Sequence, residues 1–99
     1  MDNPSWLQTA LGYLDLRMFE ETWKTLDALP EEQRNSLETL KLRVTCRLDE
    51  ERYADALELC REMCGRFPEE HGGYIQGAFC LHELDRTPEA QDWLQSGPV

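Results

Sequence analysis

The sequence predicts an all-α protein, built as three consecutive helical hairpins with about six antiparallel helices in one domain spanning residues 1–99. Three observations point there. Residue classes recur at an offset of 34: Phe19, Tyr53 and Thr87; Thr22, Ala56 and Ala90; Leu26, Cys60 and Leu94. The same offset relates Trp6, Leu40 and Tyr74, then Ala10, Val44 and Ala78, then Gly12, Cys46 and Cys80. A fixed period of this length marks stacked supersecondary units, with bulky residues where the core is filled and small ones where helices approach. Apolar residues also step by three and four, as in Phe19, Trp23, Leu26 and Leu29, or Tyr53, Ala56, Cys60, Met63 and Phe67. No segment alternates with a period of two, so all-β and α/β architectures are dropped.

The units run over about residues 3–36, 37–70 and 71–99. In the first, Asn3-Pro4 is a helix cap followed by proline at the first helical position, where the missing N–H is harmless. Trp6, Ala10 and Tyr13 mark the first helix, and Phe19, Thr22 and Leu26 the second. Pro30 stops that second helix about a turn short, and the next helix is expected to start early to compensate. Asn35 with Glu38 three residues on reads as its cap. Its apolar face is Leu37, Leu40, Val44 and Leu48. The fourth helix runs from Tyr53-Ala54-Asp55-Ala56-Leu57 through Cys60 to Phe67-Pro68. Breaks at Pro30, Pro68-Glu69-Glu70-His71-Gly72-Gly73 and Asp85-Arg86-Thr87-Pro88 are expected to separate the hairpins, and the fifth helix carries Tyr74, Gly77, Ala78 and Leu81. Thr87-Pro88-Glu89 then caps the sixth, which carries Ala90 and Leu94.

Composition narrows the function. The 99 residues hold 20 Asp and Glu against 10 Lys and Arg, a formal charge of −10. Leu, Ile, Val and Phe total 21, enough for an economical core but not for a large enzyme. The negative charge repels nucleic-acid phosphates and anionic membranes alike, leaving protein or peptide partners. Each of the three units carries −3, so the acidity belongs to the whole solvated surface rather than to a tail. The N-terminus has no basic start followed by an apolar run, and no stretch is long enough to span a bilayer. A cytoplasmic location with reduced thiols is therefore expected.

A 34-residue unit of two amphipathic helices, with Trp6, Ala10, Tyr13 and Phe19 in one copy, Tyr53, Ala56 and Pro68 in the next and Tyr74, Gly77, Ala78 and Ala90 in the third, resembles the tetratricopeptide repeat. The likeness covers nearly the whole chain. It implies a right-handed α-α superhelix, or solenoid, that acts as a protein-binding scaffold. Arg43 and Arg47 depart from it, standing where the repeat has Leu and Tyr, so the middle helix is expected to be rotated. The resemblance also implies that the first helix of each unit lines a concave groove. On this chain those positions are Pro4, Leu7, Leu11 and Leu14; Glu38, Lys41, Thr45 and Leu48; and Gly72, Ile75, Phe79 and His82. Chaperone-tail clamps of the family use Lys and Asn where this chain has Leu7 and Leu11, so that specificity is not expected. Beside the groove lie Asp15, Asp49 and Glu83, again 34 apart and all acidic. An apolar groove with an acidic edge suits an amphipathic segment bearing Lys or Arg.

Other chemistry is weaker. Cys60, Cys64, Cys80, His71 and His82 offer zinc-ligand types, but cysteines at i, i+4 on a helix lack the tight turns of structural zinc sites. The repeat phase instead makes Cys46, Cys60 and Cys80 small core residues. No electropositive setting would activate a thiolate. Glu20-Glu21, Glu31-Glu32 and Glu69-Glu70 read as solvated surface, and Gly72-Gly73 lacks the Lys-Ser/Thr of a phosphate loop. A non-enzymatic chain without metal or cofactor is expected. The alternatives are a self-associating fragment of a longer solenoid, with Trp93 and Leu94 on an open end and a homodimer at high concentration, or a metal-binding or redox protein using the Cys/His cluster.

Overall fold

The computed structural model describes residues 5–97. Among them it contains seven helices and no strand: α1 Ser5–Asp15, α2 Phe19–Asp27, α3 Glu31–Arg34, α4 Leu37–Asp49, α5 Tyr53–Arg66, α6 His71–Glu83 and α7 Thr87–Gln95. Among the described residues no helix is long and apolar enough to cross a membrane. The expected Asn3-Pro4 cap lies outside the described residues.

Three hairpins, α1–α2, α4–α5 and α6–α7, close through one and the same turn. Arg17, Glu51 and Asp85 adopt φ of 59°, 59° and 61°, the left-handed conformation that ends a helix by returning its last carbonyls to the chain. In each turn the next N–H reaches back five residues, from Met18 to Tyr13, Arg52 to Arg47 and Arg86 to Leu81, each at 2.8 Å. The shorter bond runs from Arg17 to Leu14, Glu51 to Leu48 and Asp85 to His82, at 3.0, 2.9 and 3.0 Å. Corresponding residues are 34 apart throughout, so the sequence offset is also an offset of backbone geometry.

The first connection differs from expectation. Pro30 does end α2 early, leaving 9 residues against 14 in α5. The next long helix does not start early, however. It begins at Leu37, 34 residues before the His71 start of α6, and the gap holds the single turn α3. Leu29 is buried and anchors that crossing, while the Thr39 hydroxyl donates to the Gln33 carbonyl at 2.7 Å and ties α3 to α4. Ser36, not Asn35, caps α4, its hydroxyl accepting from the Thr39 N–H at 3.2 Å. Asn35 instead closes α3. Arg86 takes the cap position before α7, so Thr87 is already helical and Pro88 still falls in the first turn.

Extensive contacts join helices in chain order, α1 to α2, α2 to α4, α4 to α5, α5 to α6 and α6 to α7, with α3 resting on α4. The molecule is correspondingly elongated, 40 × 25 × 22 Å, and its core runs as three clusters along that axis. Ala10, Leu14, Leu26, Leu29, Leu42 and Cys46 form one end, with Trp6, Leu7, Phe19 and Trp23 packed against them. Leu40, Val44, Cys60 and Met63 fill the middle, flanked by Leu37 and Leu48, the apolar face expected for α4. Ala56, Leu57, Ala78, Cys80, Leu81 and Ala90 form the other end. Each fully buried Leu contributes about 1.5–3 kcal/mol, so these clusters outweigh the exposed ion pairs, worth about 0–1 kcal/mol each.

Arg43 and Arg47 do not turn α4 out of phase. They lie on its α2 side, with guanidiniums 4.5 and 3.7 Å from the Trp23 ring centre, and Arg43 also donates to Asp27 at 2.8 Å. Both guanidiniums lie over the Trp23 ring and at the same time reach carboxylates, Asp27 for Arg43 and Glu50 for Arg47. α4 is thus covered on two sides, by α2 and α5.

Candidate functional site

The helices α1, α4 and α6 present equivalent positions in their three hairpins. The sequence places Leu7, Lys41 and Ile75 at one position, Leu11, Thr45 and Phe79 at the next, and Leu14, Leu48 and His82 at a third. Side chains of high apolar area remain uncovered at the first two: Leu11 is 37% exposed, Ile75 59% and Phe79 47%. Phe79 is held edge-on to Tyr53 across α5 and α6, ring centres 5.9 Å apart at 74°. Lys41 is exposed and paired with Glu70 at 3.4 Å. Thr45 donates to the Lys41 carbonyl at 3.0 Å within its own helix. His82 is exposed, its Nδ1 3.1 Å from the Thr87 hydroxyl.

The third position is more buried than expected. Leu14 belongs to the core, Leu48 is half-buried between two core clusters, and Leu7 is half-buried against the first. The open part of the face is therefore Leu11, Lys41, Ile75, Phe79 and His82, with Thr45 half-covered. Pro4 lies outside the described residues.

Asp15, Asp49 and Glu83 end α1, α4 and α6, one residue beyond the third position. All three are exposed. Among the described residues no Lys or Arg comes within ion-pair distance of their carboxylates, a condition they share with Glu21, Glu31, Glu32, Glu38, Glu51, Glu69, Asp85 and Asp92. The Arg17 guanidinium approaches this edge but donates to the Asp49 carbonyl, at 3.3 Å. Uncompensated charge is felt nearby: burial first, and then Glu83 and Glu51, push the Tyr53 phenol above its ordinary value.

The thiols occupy the core instead. Cys46, Cys60 and Cys80 are fully buried and Cys64 is half-buried. Burial, followed by the Glu50 carboxylate, pushes Cys46 up to about 11. A hydrogen bond to Cys80, reinforced by burial, raises Cys60 further. Raised values keep Cys46, Cys60 and Cys64 protonated and poor as nucleophiles or ligands, while the hydrogen bond with Cys60 lowers Cys80. Among the described residues no three His, Cys, Asp or Glu side chains converge as a metal-binding group.

A cavity of about 400 Å³ lies between the start of α4 and the α5–α6 loop, lined by Leu37, Arg66, Phe67, Pro68, Glu69 and Glu70, and it adjoins this face through Glu70, the partner of Lys41. It is a wide dimple between a proline loop and ion-paired side chains. A helix face that receives a peptide needs no enclosed cavity, so the exposed apolar row is the stronger candidate. Sequence reasoning missed Leu16, 71% exposed, and Met18, 42% exposed, on the first hairpin turn. Their equivalents are Glu50, Arg52, Leu84 and Arg86; reading the turn positions side by side would have shown this one to be apolar. Comparison of the chain with protein families, curated proteins and solved structures gave no match.

Proposed function

We propose that the chain is a non-enzymatic protein-binding module of the cytoplasm. In this reading the α1, α4 and α6 face is the concave side of a short tetratricopeptide-like solenoid, and it receives an amphipathic segment whose polar side carries Lys or Arg. The observation that carries the reading is the coincidence of exposed Leu11, Ile75 and Phe79 with the uncompensated row of Asp15, Asp49 and Glu83. Apolar area drives association, and the acidic row selects the sign of the partner and speeds its encounter. The repeat part of the reading is supported by the left-handed turn residues Arg17, Glu51 and Asp85. Four free thiols agree with a reducing compartment.

Fluorescence anisotropy with a synthetic Leu/Lys amphipathic peptide, against its Leu/Glu counterpart, tests this. The cationic peptide binds, more weakly at high salt, and the acidic one does not. Leu11→Glu and Phe79→Glu change exposed residues and leave the fold intact; each lowers affinity about tenfold, the equivalent of about 1.4 kcal/mol. Equal binding of both peptides, or unchanged affinity in both variants, refutes the assignment.

A further inference from the structure

We infer that the two ends of the elongated molecule form a head-to-tail contact surface for a second copy of this chain, separate from the peptide-binding face. The inference rests on comparing covered and uncovered copies of the same positions. Thr39, Arg43 and Cys46 of α4 are buried; Arg43 and Cys46 face the preceding hairpin, Arg43 covering Trp23 and Asp27 and the Cys46 thiol pointing to the Phe19 carbonyl at 3.8 Å, while Thr39 bonds Gln33 of the connecting turn α3. Gly73, Gly77 and Cys80 of α6 are buried at the same positions; Gly73 packs against Cys60, Met63 and Cys64 of α5 and Cys80 meets Cys60, while Gly77 is covered by Trp93 of its own hairpin. Ser5, Thr9 and Gly12 of α1 are the third set, and all three are exposed; a Cβ built on Gly12 meets nothing within 4 Å.

The opposite end shows the converse. Leu26 and Cys60 have no exposed surface: Leu26 packs with Leu42 and Cys46 of α4 in the following hairpin, and Cys60 meets Gly73 and Cys80 of α6 in the following hairpin as well as Leu40 and Val44 of α4 in its own. Leu94, 34 residues further on, is 51% exposed. The molecule therefore shows one half of its internal helix contact on α1 and the complementary half on α7. That contact is already made twice inside the chain, α2 against α4 and α5 against α6; a second copy continues it by setting its α1 on α7 of the first.

Charge favours a copy of the same chain at these ends. Ser5 to Leu14 contain no charged residue although 30% of the chain is charged, and Gln91, Leu94 and Gln95 on α7 are neutral and exposed. Two molecules of −10 can meet there without placing like charges face to face. Repulsion from the remaining surface is screened within about 8 Å at physiological ionic strength. Such a contact is heterologous and does not close on itself, so copies add in a row rather than stopping at a dimer. One helix pair is a small interface, so association is weak and concentration-dependent.

Sedimentation equilibrium of the whole chain tests this. The weight-average mass rises from 11.6 kDa past the dimer without a plateau as concentration increases, and rises further with added salt. Salt weakens the cationic peptide binding proposed above, so the two readings fail separately. Gly12→Arg blocks the α1 end and Leu94→Glu the α7 end, both at exposed sites where circular dichroism confirms that helix content is kept. Each variant alone stays monomeric. An equimolar mixture forms a discrete dimer, because one open end survives on each partner. A parent chain that remains monomeric up to millimolar concentration at high salt overturns the inference, and so does a mixture in which no dimer returns.

Discussion

Gly77 sits against the Trp93 indole so closely that a Cβ placed on it would lie 2.6 Å from the ring nitrogen and 2.7 Å from its neighbouring carbon. The indole cannot withdraw cheaply, since its N–H donates to the Gly73 carbonyl at 3.3 Å and its ring is half-buried between α6 and α7. Gly77→Ala should therefore destabilise the fold by about 1–3 kcal/mol, the usual cost of overpacking. Gly12→Ala, at a helical glycine with open space around it, should stabilise by up to about 1 kcal/mol through helix propensity. Urea denaturation of dilute protein measures both, and equal effects would show that the Trp93 contact is not tight. Sequence alone placed Gly12 and Gly77 in helices but could not separate them. The difference comes from Trp93, sixteen residues away from Gly77 in the chain.

Each hairpin is set by the residue at which its first helix stops. Arg17, Glu51 and Asp85 hold a conformation that disfavours any side chain with a Cβ, and glycine occupies none of the three. Glu51→Gly should raise stability by about 0.5–1 kcal/mol, relief of backbone strain being partly offset by the greater freedom of glycine in the unfolded chain. A drop in the urea midpoint would show that the Glu51 side chain does more than tolerate the turn. These turns were legible only as breaks in the apolar pattern, because Leu16-Arg17-Met18, Glu50-Glu51-Arg52 and Leu84-Asp85-Arg86 share no turn-forming residue type. The short α3 was not legible for another reason. Pro30 shows that a helix stops, while the single turn after it depends on Thr39 bonding Gln33 and on Leu29 reaching the core.

The whole molecule contains few long-range contacts outside neighbouring helices, so its stability is spread along the axis rather than held in one nucleus. Buried thiols with raised values at both hairpin junctions, Cys46 between α2 and α4 and Cys60 between α5 and α6, make that stability sensitive to alkali. Cys46 is raised from 9.0 to about 11. The fold binds the neutral thiol, so this contribution is complete below the ordinary thiol value and is lost as pH rises through the raised one. The urea midpoint should fall between about pH 9 and pH 11, and Cys46→Ala should make that fall shallower. An identical alkaline slope in the variant would assign the loss to other groups.

The 34-residue offset and the helical spacing of apolar residues were sufficient to determine an all-helical chain of three hairpins, because spacing within a unit sets its helices and recurrence between units sets their number. The resemblance to the tetratricopeptide repeat further implied that Leu11, Ile75 and Phe79 line one face, with the acidic row Asp15, Asp49 and Glu83 beside it. Tertiary structure alone decided which of those residues stay open. Leu14 and Leu48 have the same chemistry as Leu11, yet contacts from α2, α4 and α5 draw them into the core. Exposure depends on whether a neighbouring helix arrives to cover a side chain, and for Leu26, Cys60 and Leu94 that neighbour, not the residue, makes the difference.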